Sequence, residues 1–406
     1  MKRIVAFLVL LMVLVSSSAF AEGVVIIGAQ SSARDSRAER VSGPHTSGDW
    51  TYFLLDDGTA EITKHDAENH KPSTLTIPEK LDGYQVSSIA YNGAWTYSET
   101  LVIPDTVTNV LENPCTTSYC KKIVVSPEHP TLATINGVLF NKEHKRLLWY
   151  PPTKTDSSYA IPKGIQEIAD RAFCLGYSLQ TVSIPDTVVR IDGNPFYSLG
   201  NLTKVSVSSS HPNLVMSGNA LIDLDTGTLH TYLISSNAET FAVPDSVTDI
   251  APRAFMYARF KSIVFPEGLN SIGEKAFWNC NSLLAVSLPE GLTHIGVDAF
   301  AFCHDLTSVE FPGTLETIEQ GAFRGTTLDN VTLPDGLVSI GKGAFADDEG
   351  DGAKNVTIPA SVTYIGENAF RPDVILTVEH DSYAVEYARA NNYEYTYPDA
   401  LDWLLE

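Results

Sequence analysis

One phrase, L-x-x-V-x-[ILFV]-P-x-x-[LV]-x-x-I-x-x-x-A-F, recurs along most of this chain and confines it to a repeat architecture. Its prolines stand at Pro162, Pro185, Pro244, Pro266, Pro289, Pro312, Pro334 and Pro359. The linked Ala-Phe steps end at Phe173, Phe255, Phe277, Phe300, Phe323, Phe345 and Phe370, with Pro195-Phe196 as a variant. Copies lie 22 to 25 residues apart except where an insert intervenes, and degenerate copies open the array at Ile77-Pro78 and Ile103-Pro104.

The spacing dictates how each unit folds. Val286 and Leu288 alternate with Ser287, the period of a short strand with one buried face. Pro289 has no N–H for a ladder and ends that strand. Leu292 and Ile295 turn inward again, and Ala299-Phe300 plugs the coil from its far side. A single coil cannot bury these residues. Stacked coils, ~4.8 Å apart, make one continuous core in which each large apolar side chain contributes roughly 1.5–3 kcal/mol before entropy. The expected fold is a strand-dominated, right-handed solenoid with a stacked parallel sheet, short helical turns, two inserted β-hairpins and terminal caps.

The inserts, 126–158 and 208–240, belong to a duplicated module. Residues 126–173 align without a gap on 208–255 at a constant offset of 82, so that His129-Pro130 matches His211-Pro212 and Tyr150 matches Tyr232. In each, two apolar stretches flank a turn, and Asp225-Thr226-Gly227 is a hairpin signal. Both are expected to be hairpins projecting from the solenoid. The solenoid proper spans 48–397. Residues 48–70 form its N-terminal cap, a hairpin around Asp56-Asp57-Gly58, and 376–397 its C-terminal cap, with a short helix over Ser382 to Asn391.

Before the array, Lys2 and Arg3 precede an apolar run from Ile4 to Val15 and an Ala19-Phe20-Ala21 step. This is the layout of a cleavable secretory signal over 1–21, because such a run rises only ~18 Å as a helix against a ~30 Å hydrocarbon core. Residues 22–47 lack periodicity and are expected to be a flexible leader; 398–406 form a tail. The mature chain is expected to lack a transmembrane span. The net charge of −22, more negative once Lys2 and Arg3 are removed, repels phosphate backbones and argues against a nucleic-acid partner.

The tracts VSLPEGLTHIGVDAFAFC, INGVLFNKEHKRLLWYP and SYAVEYARANNYEY resemble the repeat, the interspersed hairpin and the C-terminal cap of the BspA-type leucine-rich-repeat proteins of bacterial cell surfaces. The resemblance covers roughly residues 49 to 397. It implies an extracellular leucine-rich-repeat solenoid, with members described as adhesins for host matrix proteins or other cells. The family has no fixed ligand motif to carry over. This chain shows neither a lipid-attachment Cys after the signal nor a C-terminal sorting motif.

Outward-facing strand residues such as Ser183, Ser287, Glu310 and Thr332 are small and mostly hydroxylic, with few of the aromatic and Arg anchors of strong interfaces. Larger side chains follow the Ala-Phe step instead: Tyr197, Met256, Tyr257, Trp278 and Phe302. Equivalent positions of consecutive coils form one ridge, and this ridge is the candidate binding site if exposed; otherwise its members pack on one another or under a hairpin. Cys115 and Cys120 should both point inward in a degenerate coil, as a disulfide or as free thiols. Cys280 and Cys303 share a slot in adjacent coils with parallel side chains and read as free buried thiols; Cys174 is out of phase. Asn201, Asn330 and Asn355 begin N-x-[ST] sequons, relevant only in a glycosylating host.

Catalytic patterns are missing: no H-E-x-x-H, C-x-x-C, phosphate-cradling loop or G-x-S-x-G. The acidic insert Asp347–Gly352 lacks the alternating spacing of a calcium loop and reads as solvated. No metal or cofactor is expected. The leading functional expectation is a non-enzymatic, monomeric, secreted or cell-surface protein that binds an extracellular protein. A glycan-binding module using the aromatic ridge is the alternative, and a hydrolase with an unrecognised site the least supported reading.

Overall fold

A computed structural model describes residues 38–66, 72–90, 98–110, 112–115, 119–346 and 352–399. The signal, most of the leader, all but the end of the 347–352 acidic insert and most of the tail lie outside the described residues. The chain winds as stacked coils with two sets of parallel strands. The Val strands pair coil to coil, as Thr181–Ile184 with Lys204–Val207, Ala285–Ser287 with Ser308–Glu310, and Asn330–Thr332 with Asn355–Ile358. The Ile strands form the parallel part of a nine-stranded sheet from Asp249–Ile250 to Tyr364–Ile365. In both sets one side chain faces in and its neighbours face out, as the period-two pattern requires.

The Ala-Phe step makes a third ladder. Phe277 N donates to Ala299 O at 2.7 Å and Phe300 N to Ala322 O at 2.7 Å, so this corner is also bonded coil to coil. Inside it the Phe rings stack face to face: Phe255–Phe277 at 4.9 Å, Phe277–Phe300 at 4.8 Å and Phe300–Phe323 at 5.3 Å, with interplanar angles of 5° or less. All are buried. The corner is not the expected helical turn. It is a five-residue turn bounded by two residues with left-handed backbone, as at Arg253 (φ 62°) and Tyr257 (φ 65°), or Asp298 (φ 52°) and Phe302 (φ 59°). A regular helix, Tyr383–Ala390, occurs in the C-terminal cap, where Ser382 Oγ accepts from Val385 N.

Two expectations need correction. Residues 40–47, placed in the flexible leader, form a strand antiparallel to Trp50–Leu55. Its side chains are mostly exposed, so no apolar alternation announced it. Arg40 ties it down, with Nε 2.5 Å from a Glu61 carboxylate oxygen and its guanidinium over the Phe53 ring. The inserts do not project either. Each is an antiparallel meander, Leu132–Ile135, Val138–Asn141 and Arg146–Trp149, then Leu214–Ser217, Ala220–Asp223 and Thr228–Tyr232, whose last strand joins the next coil in parallel. Both faces are covered. In the second meander Ala220 and Ile222 pack into one core cluster and Leu221 into the other, so this insert is a partition between the two halves of the core. Consecutive apolar residues are what a strand buried on both faces needs.

Candidate functional site

Four coils place an aromatic side chain on the corner, one or two residues after the buried Phe. Tyr197 and Trp278 occupy the first position after Phe, followed by Ser198 and Asn279; Tyr257 and Phe302 occupy the second, preceded by Met256 and Ala301. The register therefore alternates between neighbouring coils, and the rings interlock edge to face. Tyr257 and Trp278 lie 5.3 Å apart at 90°, and Trp278 and Phe302 5.6 Å apart at 77°. Burial pushes the Tyr197 hydroxyl up to about 12, and Tyr257 beside it acts in the same direction. These four aromatics are half-buried. Met256 does not join them: at 7% exposure it points beneath the corner, the slot beside it being taken by Tyr257.

Beyond Phe302 the ridge ends in a fitted pair. The Arg324 guanidinium lies over the Phe302 ring, 4.8 Å from its centroid. A Cβ on Gly325 would come within 2.8 Å of that ring, so only glycine leaves it room. Tyr257 and Phe302 hold the left-handed conformation where other coils place Asn279 or Gly325. Leu175 (φ 65°) fills the same slot after Phe173, so a bulky left-handed residue is a recurring feature of the corner.

A charged ladder, which the sequence analysis missed, runs beside the aromatics. Asp170 pairs with Arg171 at 2.8 Å and with Arg253 at 3.5 Å; Arg253 reaches Glu274 at 2.9 Å. Lys275 then bridges Glu274 at 2.9 Å and Asp298 at 3.2 Å, and Arg324 meets Asp298 at 3.5 Å. Burial pushes the Glu274 carboxyl up, but Arg253 and Lys275 outweigh it and hold the group below the usual carboxylate range. The signal was present: a charged residue stands directly before Ala-Phe at Arg171, Arg253, Lys275 and Asp298. Reading it required the coil-to-coil register across the second insert. This corner carries Arg171, Arg253, Lys275 and Arg324 against Asp170, Glu274 and Asp298, an unusual balance on a chain with net charge −22.

Where the second insert returns to the coils, a shallow cleft opens beside Tyr197, lined by Asn194, Thr231, Ile234, Arg253 and Met256. Asn194 Nδ2 donates to Arg253 O across it at 2.8 Å, as Asn113 Nδ2 does to Arg171 O across the first insert at 2.6 Å.

The cysteines take the other of their two expected states: Cys115 and Cys120 are buried free thiols. Burial pushes the Cys115 thiol well up, and Cys120 beside it adds to this. Cys280 and Cys303 are also free, their Sγ atoms donating to Phe255 O and Phe277 O at 3.1 Å each. Among the described residues, no group of three or more His, Cys, Asp or Glu side chains is arranged to hold a metal ion, and no helix is long and apolar enough to cross a membrane.

Three solved structures are similar to this chain. A leucine-rich repeat protein from Eubacterium ventriosum is 20% identical, with a TM-score of 0.48 over 80% of this chain and 93% of that one. A leucine rich cell surface protein from Faecalibacterium prausnitzii is 22% identical, with a TM-score of 0.40 over 88% and 95%. The pneumococcal vaccine antigen PcpA is 16% identical, with a TM-score of 0.42 over 88% and 99%. No curated protein matches the chain. The BspA type leucine rich repeat region, in six copies, matches residues 153–216 and 230–350, and these residues of the chain are therefore BspA-type leucine-rich repeats.

Proposed function

We propose that this chain is a secreted or cell-surface protein that binds an extracellular protein partner without catalysis, and that the partner docks along the corner formed by Tyr197, Tyr257, Trp278, Phe302 and Arg324. The single observation that carries this reading is the continuity of that corner: interlocked half-buried aromatics beside a charge-balanced ladder, on a molecule that is elsewhere strongly acidic. Aromatic and Arg side chains dominate protein interfaces, and local charge balance removes the repulsion that an acidic surface presents to most extracellular proteins. The edge-to-face packing turns ring faces toward neighbouring rings, which favours a protein partner over a sugar stacked flat. Secretion rests on the Lys2 to Ala21 pattern.

The test is retention of the purified protein on a panel of immobilised host-matrix proteins and cell-surface extracts. Specific retention is expected, with Trp278→Ala combined with Phe302→Ala weakening it at least about 30-fold, the effect of losing a hot spot of ~2 kcal/mol or more. No retention across the panel, or retention unchanged by the double substitution, overturns the proposal. Binding on a glycan array that Trp278→Ala abolishes would replace the protein partner with a sugar.

A further inference from the structure

The duplicated module repeats one side-chain device at both insert entrances. In Ser126-x-x-His129 and Ser208-x-x-His211 the imidazole folds back over the turn. His129 Nδ1 accepts from Thr131 N at 3.3 Å and Leu132 N at 3.0 Å, while Nε2 lies 3.2 Å from Pro104 O of the preceding coil. His211 Nδ1 accepts from Asn213 N at 3.2 Å and Leu214 N at 2.9 Å, with Nε2 2.6 Å from Val188 O. A ring that accepts two N–H groups at Nδ1 and faces a carbonyl at Nε2 must carry its single proton on Nε2. It thereby holds the first residues of the insert and the coil before it at once.

We propose that the two inserts are acid-released joints: a proton taken from solvent at Nδ1 of His129 and His211 detaches the start of each insert from the preceding coil. The imidazolium has no acceptor left, and its new N–H points at two backbone N–H groups. Around His129 the charged groups are Asp105, which favours the proton, and Lys142, whose ammonium bonds His129 O and opposes it. Around His211, Asp186 is held one residue away by Ser210 Oγ at 3.0 Å. Burial of His129 holds its ring below the ordinary value of 6.5. The unfolded ring titrates at that ordinary value, so the clamp is at full strength above it and is lost as pH falls through the lower folded value.

The second joint carries an additional load. His230 is buried in the last strand of that insert, with Nδ1 3.1 Å from Gly193 O and Asp223 and Asp192 as its charged neighbours. Burial lowers its proton affinity despite them. The equivalent residue of the first copy is Leu148, so acid loosens the second joint more than the first.

The test is amide hydrogen exchange of the whole protein at pH 7.5 and 5.0, corrected for intrinsic rates. Peptides holding Thr131–Leu132 are expected to lose protection by up to about 30-fold at pH 5.0, from the gap between pH 5.0 and the ordinary value of 6.5, and peptides holding Asn213–Leu214 to lose protection as well. The coils from Phe277 to Phe345 should change far less. In His129→Asn with His211→Asn the Asn oxygen still accepts both N–H groups and cannot titrate, so protection at Thr131–Leu132 should be equal at the two pH values, while the intact His230 leaves a smaller acid loss at Asn213–Leu214. Wild-type protection equal at both pH values, or the same acid loss at Thr131–Leu132 in the double variant, overturns the proposal. Should that variant fail to fold, imidazole titration of the wild type by NMR decides: a value below 6.5 for His129 supports it, and a value at or above 6.5 overturns it.

Discussion

Replacing Phe300 with Ala tests whether the stacked rings act as the register of the solenoid. Phe300 is fully buried between Phe277 at 4.8 Å and Phe323 at 5.3 Å, nearly parallel to both. Truncating a buried Phe costs about 3–5 kcal/mol through lost transfer energy and the cavity left behind. This site belongs near the top of that range, because coils locked by their neighbours' backbone bonds cannot collapse into the gap. Phe300→Leu keeps most of the burial but loses two ring pairs, each worth about 0.5–1.5 kcal/mol, so its loss should be about 1–3 kcal/mol. Nearest-neighbour coupling confines the damage to the flanking coils. Urea unfolding followed by circular dichroism should then show Phe300→Ala splitting one transition into two, with a smaller slope for each. A loss below about 2 kcal/mol for the Ala variant, or a Leu variant equally damaged, would refute the reasoning.

Two further outcomes follow from close packing. A Cβ on Gly366 would sit 2.4 Å from Lys342 N of the preceding coil, so Gly366→Ala must pry two coils apart at about 1–3 kcal/mol; an unchanged Tm contradicts this. Burial raises the Cys280 thiol, and its proton is bonded to Phe255 O, so native Cys280 should resist a thiol reagent at pH 8 and react fully once unfolded; rapid native labelling would argue against that packing.

The coil was legible in the sequence because one physical need, burial of a single face per short strand, repeats with a fixed count between Val286, Ile295 and Phe300 and their equivalents. The inserts were legible in their pairing but not in their burial, although that signal too was present. The expected antiparallel hairpins form, but Val138 to Phe140 and Leu147 to Tyr150 are apolar without alternation, which means two buried faces rather than projection into water. The ridge was half legible: Tyr257, Trp278 and Phe302 do meet, but which of two adjacent slots each coil fills depends on left-handed backbone that no spacing reveals. The ion ladder was hidden by sequence distance, since Asp170 and Arg253 are 83 residues apart and become neighbours only after a further coil and the second meander return the chain to the same corner.

The two copies of the module have diverged at the positions that decide how firmly they join the coils. In the first, buried Trp149 stands where the second has Thr231, and Arg146, paired with Glu167 at 3.1 Å and with Asp192, stands where the second has Thr228. The second copy instead has a cleft lined by Thr231 and a buried His230. The first joint is thus the firmer of the two, and the second the more open and the more acid-sensitive. The aromatic corner crosses the second one, with Tyr197 in the coil before it and Tyr257 in the coil after. Loosening that joint displaces the two tyrosines relative to each other while the Tyr257–Trp278–Phe302 run, on uninterrupted coils, keeps its geometry. A partner gripping the whole corner would therefore be released in acid, and one gripping only the later coils would not.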